Sequence, residues 1–161
     1  MFRHLLVPVD HHPACHPAAH HAYDLTRALG GRVTLLHILE RDTPPERTSA
    51  DRHLETLAAG ARRPPARVVL PVRDHDVQGA IAHYARKHAA DLIVLGISGA
   101  GGLTDDALGK FAVNLARLSA LPVHLTGSRP PSEAVPSRWV QVLGDRHRAA
   151  HPGVDGARSE P

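Results

Sequence analysis

The chain has 161 residues, 42% of them hydrophobic, with 19 basic and 16 acidic side chains and a formal net charge of +3. That length suffices for one domain with a real core; no run of 18 apolar residues marks a membrane span, and the short apolar run Leu5–Val9 is too brief and badly flanked for a secretory signal. A single cysteine, Cys15, excludes an internal disulfide and fits a reducing compartment, so a cytoplasmic protein is expected; basic residues mixed with acidic ones, and few aromatics, argue against nucleic-acid binding by base stacking.

In chain order, residues 3–9 predict a buried strand ending before Asp10, with Pro8 near its C-terminal end, where a lost ladder bond is tolerated. Ala18, Ala22, Leu25 and Leu29 recur at helical spacing, and Gly30-Gly31 closes that helix. Residues 32–39 are β-branched and apolar, a second strand. A loop over 40–49 carrying Pro44-Pro45 precedes a modest helix with Leu54, Leu57 and Ala61 on one face. Residues 66–72 predict a third strand, and Val77, Ile81, Tyr84 and His88 a third helix. Leu92–Gly96 predicts a fourth strand, Leu108, Phe111, Leu115 and Leu118 a fourth helix, and residues 121–126 a fifth strand. Strands alternating with helices of this length imply βαβ units: an α/β fold, a parallel sheet with right-handed crossovers and helices on both faces. Residues 127–161, rich in proline and glycine, predict a mostly disordered tail whose one apolar cluster is Trp139–Leu143.

The stretch from Leu92 to Lys110 carries the chemistry. A strand stops at Gly96, Ser98, Gly99, Gly101 and Gly102 follow, and a helix comes next. Glycines let an anion approach main-chain N–H groups, and a helix N-terminus adds unpaired donors and a positive dipole end, so this place suits a phosphate. Asp105 and Asp106 stand beside it and are candidates to hold Mg²⁺, although carboxylates also simply favour helix starts. No Gly-x-Ser-x-Gly and no Walker lysine loop is present, so no efficient enzyme is expected, at most slow ATP hydrolysis.

Fourteen histidines are unusual. His11, His12, His16, His20 and His21 fall within one short segment, and His12, His16 and His20 would share a helix face. Imidazoles four residues apart can share a metal; a solvated, partly protonated helix start is the plainer expectation, with Pro17 leaving His12 outside the helix.

These residues, taken together, resemble the universal stress protein domain family over residues 3–126. The matching features are Leu5-Leu6-Val7-Pro8-Val9-Asp10, Leu35-Leu36-His37-Ile38, Ala90-Asp91 leading into Leu92–Gly96, the spacing Gly96-x2-Gly99-x9-Gly109, and Leu121-Pro122-Val123. The resemblance implies a doubly wound five-stranded parallel sheet, a homodimer joined through the last strand, and ATP at the C-terminal ends of the strands. By position, Pro8 and Asp10 would line the adenosine end, and Ile38 would meet adenine through its backbone. Gly96, Ile97, Ser98, Gly99, Ala100, Gly101 and Gly102 would wrap the ribose and phosphates. Gly109, Lys110, Phe111 and Ala112, at the start of the fourth helix, would hold the outer phosphates by backbone N–H groups. The chain departs from the family's pattern in three places: Lys110 replaces the usual Ser or Thr, His11-His12-Pro13 replaces Gly-Ser, and His75-Asp76-Val77 replaces Gly-x-Pro. The expected function is an adenine-nucleotide-binding stress sensor. The alternatives are a nucleotide-free dimeric interaction module reaching a protein partner through the tail, and a metal- or pH-responsive histidine protein.

Overall fold

The structure, a computed structural model, describes residues 2–72, 74–97 and 105–127. The segments 98–104 and 128–161, and with them the tail expectation, lie outside the described residues, as do the side chains of Ile97, Asp105, Asp106 and Leu108. Nine elements follow in order: β1 (His4–Val9), α1 (Cys15–Leu29), β2 (Arg32–Leu39), α2 (Pro44–Ala58), β3 (Ala66–Pro71), α3 (Val77–Lys87), β4 (Leu92–Ile97), α4 (Asp105–Ser119) and β5 (Val123–Gly127). They build one five-stranded sheet in the order β3-β2-β1-β4-β5, every neighbouring pair parallel. The α/β reading of the sequence holds.

The central strands are apolar at nearly every position because both faces are covered. Leu5, Val7 and Val9 of β1, with Leu35 and Val94, pack against Ala18, Ala19 and Ala22 of α1 and Leu54 and Leu57 of α2. Leu6, Leu36, Ile93 and Leu95 point the other way, onto Ile81, Ala82 and Ala85 of α3 and Ala112 and Leu115 of α4. The small alanines of α1 let that helix lie close on the sheet.

Helix α2 starts earlier than its sequence suggests. Thr43 caps it, its Oγ1 accepting from Glu46 N–H at 3.4 Å, and Pro44 and Pro45 occupy the first helical positions. Proline is at home there, since its missing N–H would be unpaired anyway. The helix is otherwise polar and buries only Ala50, Leu54 and Leu57. Each fully buried leucine stabilises by roughly 1.5–3 kcal/mol, so two side chains account for most of its docking.

The N-terminal end of the sheet is tied by polar groups. Asp91 Oδ2 accepts from Arg3 N–H and His4 N–H, both at 2.8 Å, while Asp91 N–H donates to the His4 carbonyl. His4 is buried; with Nδ1–H donating to the His88 carbonyl at 3.0 Å, its Nε2 accepts from the Thr34 hydroxyl at 2.8 Å. The Arg3 N–H, foremost, holds the Asp91 carboxyl below its usual range. Stability from this group is therefore present above pH 3.8 and lost as pH falls through its lowered value. Asp91→Ala is expected to cost about 1–2 kcal/mol at pH 7 in urea unfolding, and the gap from wild type should close in strong acid.

Candidate functional site

From β1 the chain moves outward through β2 to β3, then returns to place β4 and β5 on the other side of β1. Ligands of open parallel sheets gather where the strand order reverses, beyond the C-terminal strand ends. Here that point lies between β1 and β4. Their ladder spans Leu5 and Leu6, whereas β1 stays in register with β2 as far as Val9↔His37. Pro8, which has no N–H to give, sits beyond the last rung shared with β4.

A cleft of about 240 Å³ lies at this position, lined by Pro8, Asp10, Cys15, Ile38, Glu40, Val77, Ile81, Gly96 and Phe111, among others. Five residues singled out in the sequence thus meet in one hollow: Pro8, Asp10, Ile38, Gly96 and Phe111. Ser98, Gly99, Ala100, Gly101 and Gly102 lie outside the described residues, and Ile97 is described only by its backbone in β4. A hollow of about 260 Å³ at the opposite end of the sheet, lined by Arg32, Gly60 and Arg63, contains none of the residues expected in the site. It is the larger of the two, but it lies away from the strand reversal.

The corner joining β1 to α1, residues 10–14, forms one wall. Asp10 Oδ1 accepts from His12 N–H at 2.8 Å and from the Cys15 thiol at 3.1 Å, and Asp10 N–H donates to Cys15 Sγ at 3.3 Å. Burial, first, pushes the Cys15 thiol up to about 12, so it stays protonated and a donor. His12 Nδ1 accepts from Ala14 N–H at 3.2 Å, and α1 begins only at Cys15, which leaves His12 outside the helix. Gly96 explains how the corner fits. A Cβ there would stand 2.1 Å from the Ala14 carbonyl oxygen and 2.7 Å from its carbon. The glycine is required by the close approach of α1 to the end of β4, a cause the sequence does not disclose.

Helix α4 begins at Asp105, four residues before the Gly109 start that the resemblance suggested. Gly109 through Ala112 therefore lie in its second turn, where main-chain N–H groups pair with carbonyls four residues back. The positive end of the helix dipole belongs to its first turn. Lys110 is exposed, Phe111 half-buried and Ala112 buried in the core. The Phe111 carbonyl accepts from Gln78 Nε2 at 3.1 Å, which joins α3 to α4. A Cβ on Gly109 would meet no described atom within 4 Å.

The third departure from the family's pattern has a backbone counterpart. Asp74 and His75 both hold positive φ, 59° and 55°, the region that glycine adopts without strain. His75 Nδ1 lies 3.4 Å from Glu40 Oε2 at the cleft's rim, and Asp76 caps α3 through Gly79 N–H at 2.9 Å.

The histidines separate into groups that their spacing does not announce. His11 and His16 come together with His37 of β2 and His53 of α2. His20 packs edge-on to Tyr23, and His21 stacks on His124 at 4.8 Å. Among the described residues no three His, Cys, Asp or Glu groups are gathered to hold a metal ion, and no helix is long and apolar enough to cross a membrane.

A family model described as "Universal stress protein family" matches residues 1–127. Solved structures resemble the chain over most of its length. One is a protein from the universal stress protein family of Burkholderia pseudomallei, 22% identical, TM-score 0.61, with 79% of this chain and 97% of that one covered. A universal stress protein from Archaeoglobus fulgidus in complex with dAMP is 20% identical, TM-score 0.60, covering 77% and 97%. A universal stress protein in complex with cAMP is 17% identical, TM-score 0.60, covering 80% and 98%. No curated protein matches the chain.

The Gly96–Ala14 contact gives a direct test of the corner. Gly96→Ala is expected to lower stability by about 1–3 kcal/mol, the range for overpacking against atoms that cannot retreat. Denaturant unfolding measures it, and a neutral result would mean that α1 can shift away from β4.

Proposed function

The chain belongs to the universal stress protein family, and on that footing we propose that it is an adenine-nucleotide-binding regulatory domain of the stress response, with ATP as its ligand. The observation that carries this reading is the cleft at the strand reversal, where Pro8, Asp10, Ile38, Gly96 and Phe111 converge. That two similar structures hold dAMP and cAMP supports an adenine ligand.

The electrostatics of the cleft suggest an orientation. Asp10 and Glu40 put two carboxylates in the lining, which suits the neutral, donor-rich nucleoside and repels phosphate. The start of α4, the helix that gives Phe111 to the cleft, adds a positive dipole end. Pockets for whole drug-sized ligands run from about 300 Å³ upward. A cleft of about 240 Å³ accordingly takes the nucleoside end, with the phosphates directed toward the start of α4. In this reading Pro8 and Ile38 flank the base, Asp10 accepts from the nucleoside through the oxygen that does not hold the corner, and Lys110 meets phosphate as a point charge from one turn further along α4. Asp105 and Asp106 are the residues that would hold a Mg²⁺ accompanying the phosphates. We assign no catalytic residue.

Self-association belongs to the same reading. Strand β5 is an edge of the sheet, and Leu125 on it, with Val113 and Leu118 of α4, is exposed. An unpaired edge with apolar neighbours is a template for a second strand, so we propose a homodimer through β5.

Calorimetry with ATP and Mg²⁺ tests the proposal: saturable binding below millimolar nucleotide is expected, and no heat from folded protein at millimolar ATP would overturn it. Gly109→Ala should stabilise the fold by about 0.5–1 kcal/mol, since a helical glycine is replaced where no described atom obstructs a methyl, and should leave ATP affinity within about twofold, its N–H being spent inside the helix. A loss of fivefold or more would put the phosphates at the second turn of α4 instead. Light scattering on the same samples should give twice the chain mass.

A further inference from the structure

Four imidazoles from three parts of the chain meet behind the β1–α1 corner. The ring centroids of His11 and His37 lie 4.9 Å apart, those of His11 and His53 5.2 Å, His16 and His53 5.9 Å, and His37 and His53 6.2 Å. His37 is only 4% exposed, and its Nδ1 is buried with no hydrogen-bond partner; His53 Nε2 is in the same condition. The charges of Asp10 and Asp51 favour protonation of His37 in part, and His53 both hydrogen-bonds the Asp10 main chain and feels the Asp10 carboxylate. His12, on the corner itself, already spends Nδ1 on Ala14 N–H.

Neutral rings pack at these distances, whereas protonated ones repel. Burial first, then charge on His11 and His53, lowers His37 from 6.5 to about 4; burial, then His11 and His16, lowers His53. A ring freed from the cluster regains an ordinary affinity for protons. The closed arrangement is therefore fully favoured above pH 6.5 and loses its advantage as pH falls toward 4. Outside the sheet the rings are carried by the corner, by α1 and by α2, which buries only Ala50, Leu54 and Leu57. His11 lies between Asp10 and His12, the two ends of the hydrogen bond that shapes the corner, so displacing His11 displaces Asp10.

We propose that His11, His16, His37 and His53 form a proton-operated latch on the β1–α1 corner, closed while the rings are neutral and released in mild acid, withdrawing Asp10 from the cleft. Its effect on nucleotide rests on the function proposed above; the movement of the corner does not.

Amide hydrogen exchange on the full chain, corrected for the intrinsic rate at each pH, reads the opening directly. Between pH 7.5 and 5.5 the protection of His12, Ala14 and Cys15 amides should fall about tenfold, the factor for one imidazole passing from about 4 to 6.5 on release. Leu35 in β2 should keep its protection. In His37→Asn the fall should shrink to less than threefold, and His11→Asn, an exposed substitution, repeats the test should the buried one impair folding. Saturating ATP should restore corner protection at pH 5.5. Corner protection that ignores pH, or an undiminished fall in both variants, which would assign it to His12, overturns the latch. A pH-dependent corner in a protein that binds no ATP at either pH leaves the latch standing and removes the nucleotide reading of the cleft.

Discussion

The carbonyl of Ala14 occupies the space that any side chain on residue 96 would need. Much else at this end of the molecule depends on that contact. It presses the start of α1 onto the last residues of β4 and so fixes where the corner after β1 can run. The corner in turn sets the direction of the Asp10 carboxylate, whose one oxygen ties His12 and Cys15 together. With Asp10 and Gly96 in place, two walls of the cleft are built before any ligand arrives. His11 is carried over β2 by the same turn, close enough for its ring to meet His37.

The two ends of the sheet use their polar groups differently. At the N-terminal end Asp91, His4, Thr34 and the His88 carbonyl satisfy one another and lock β1 to its neighbours. At the C-terminal end the reversal of strand order separates β1 from β4 and leaves a gap. The carboxylates of Asp10 and Glu40 line it together with Phe111 of α4. A sheet stapled at one end and open at the other holds a rigid floor beneath a region free to vary. The departures from the family's pattern gather at that open end: His11-His12 on the corner, His75 at positive φ near the rim, and Lys110 on α4.

Much of the fold was legible in the sequence because the strands are buried on both faces and so appear as uninterrupted apolar runs separated by helical periodicity. The start of α2 was not, since Pro44-Pro45 resembles a loop until Thr43 is recognised as the cap that makes proline favourable next. The resemblance puts the start of α4 at Gly109, four residues late, whereas the carboxylates of Asp105-Asp106, residues that favour a helix start, mark where the backbone begins the helix. For the site, Pro8, Asp10, Ile38, Gly96 and Phe111 could be named by position, yet the reason for Gly96 lies in a contact with Ala14, which spacing cannot show. The histidines were the hardest. Nearness in the chain suggested His12, His16 and His20, whereas the sheet register, Val9 beside His37, and the docking of α2 select His11, His16, His37 and His53. One available signal was a histidine on the same strand face as Leu35 and a second on α2 directly before the buried Leu54.

Cys15 gives the corner a reporter of its own. Its sulfur is the chain's only thiol, buried, and engaged on both sides by Asp10. A maleimide in solution finds no thiolate to attack while those bonds persist. Alkylation thus proceeds only as fast as the turn breathes, and the native protein can be clocked chemically, without a label introduced by mutation.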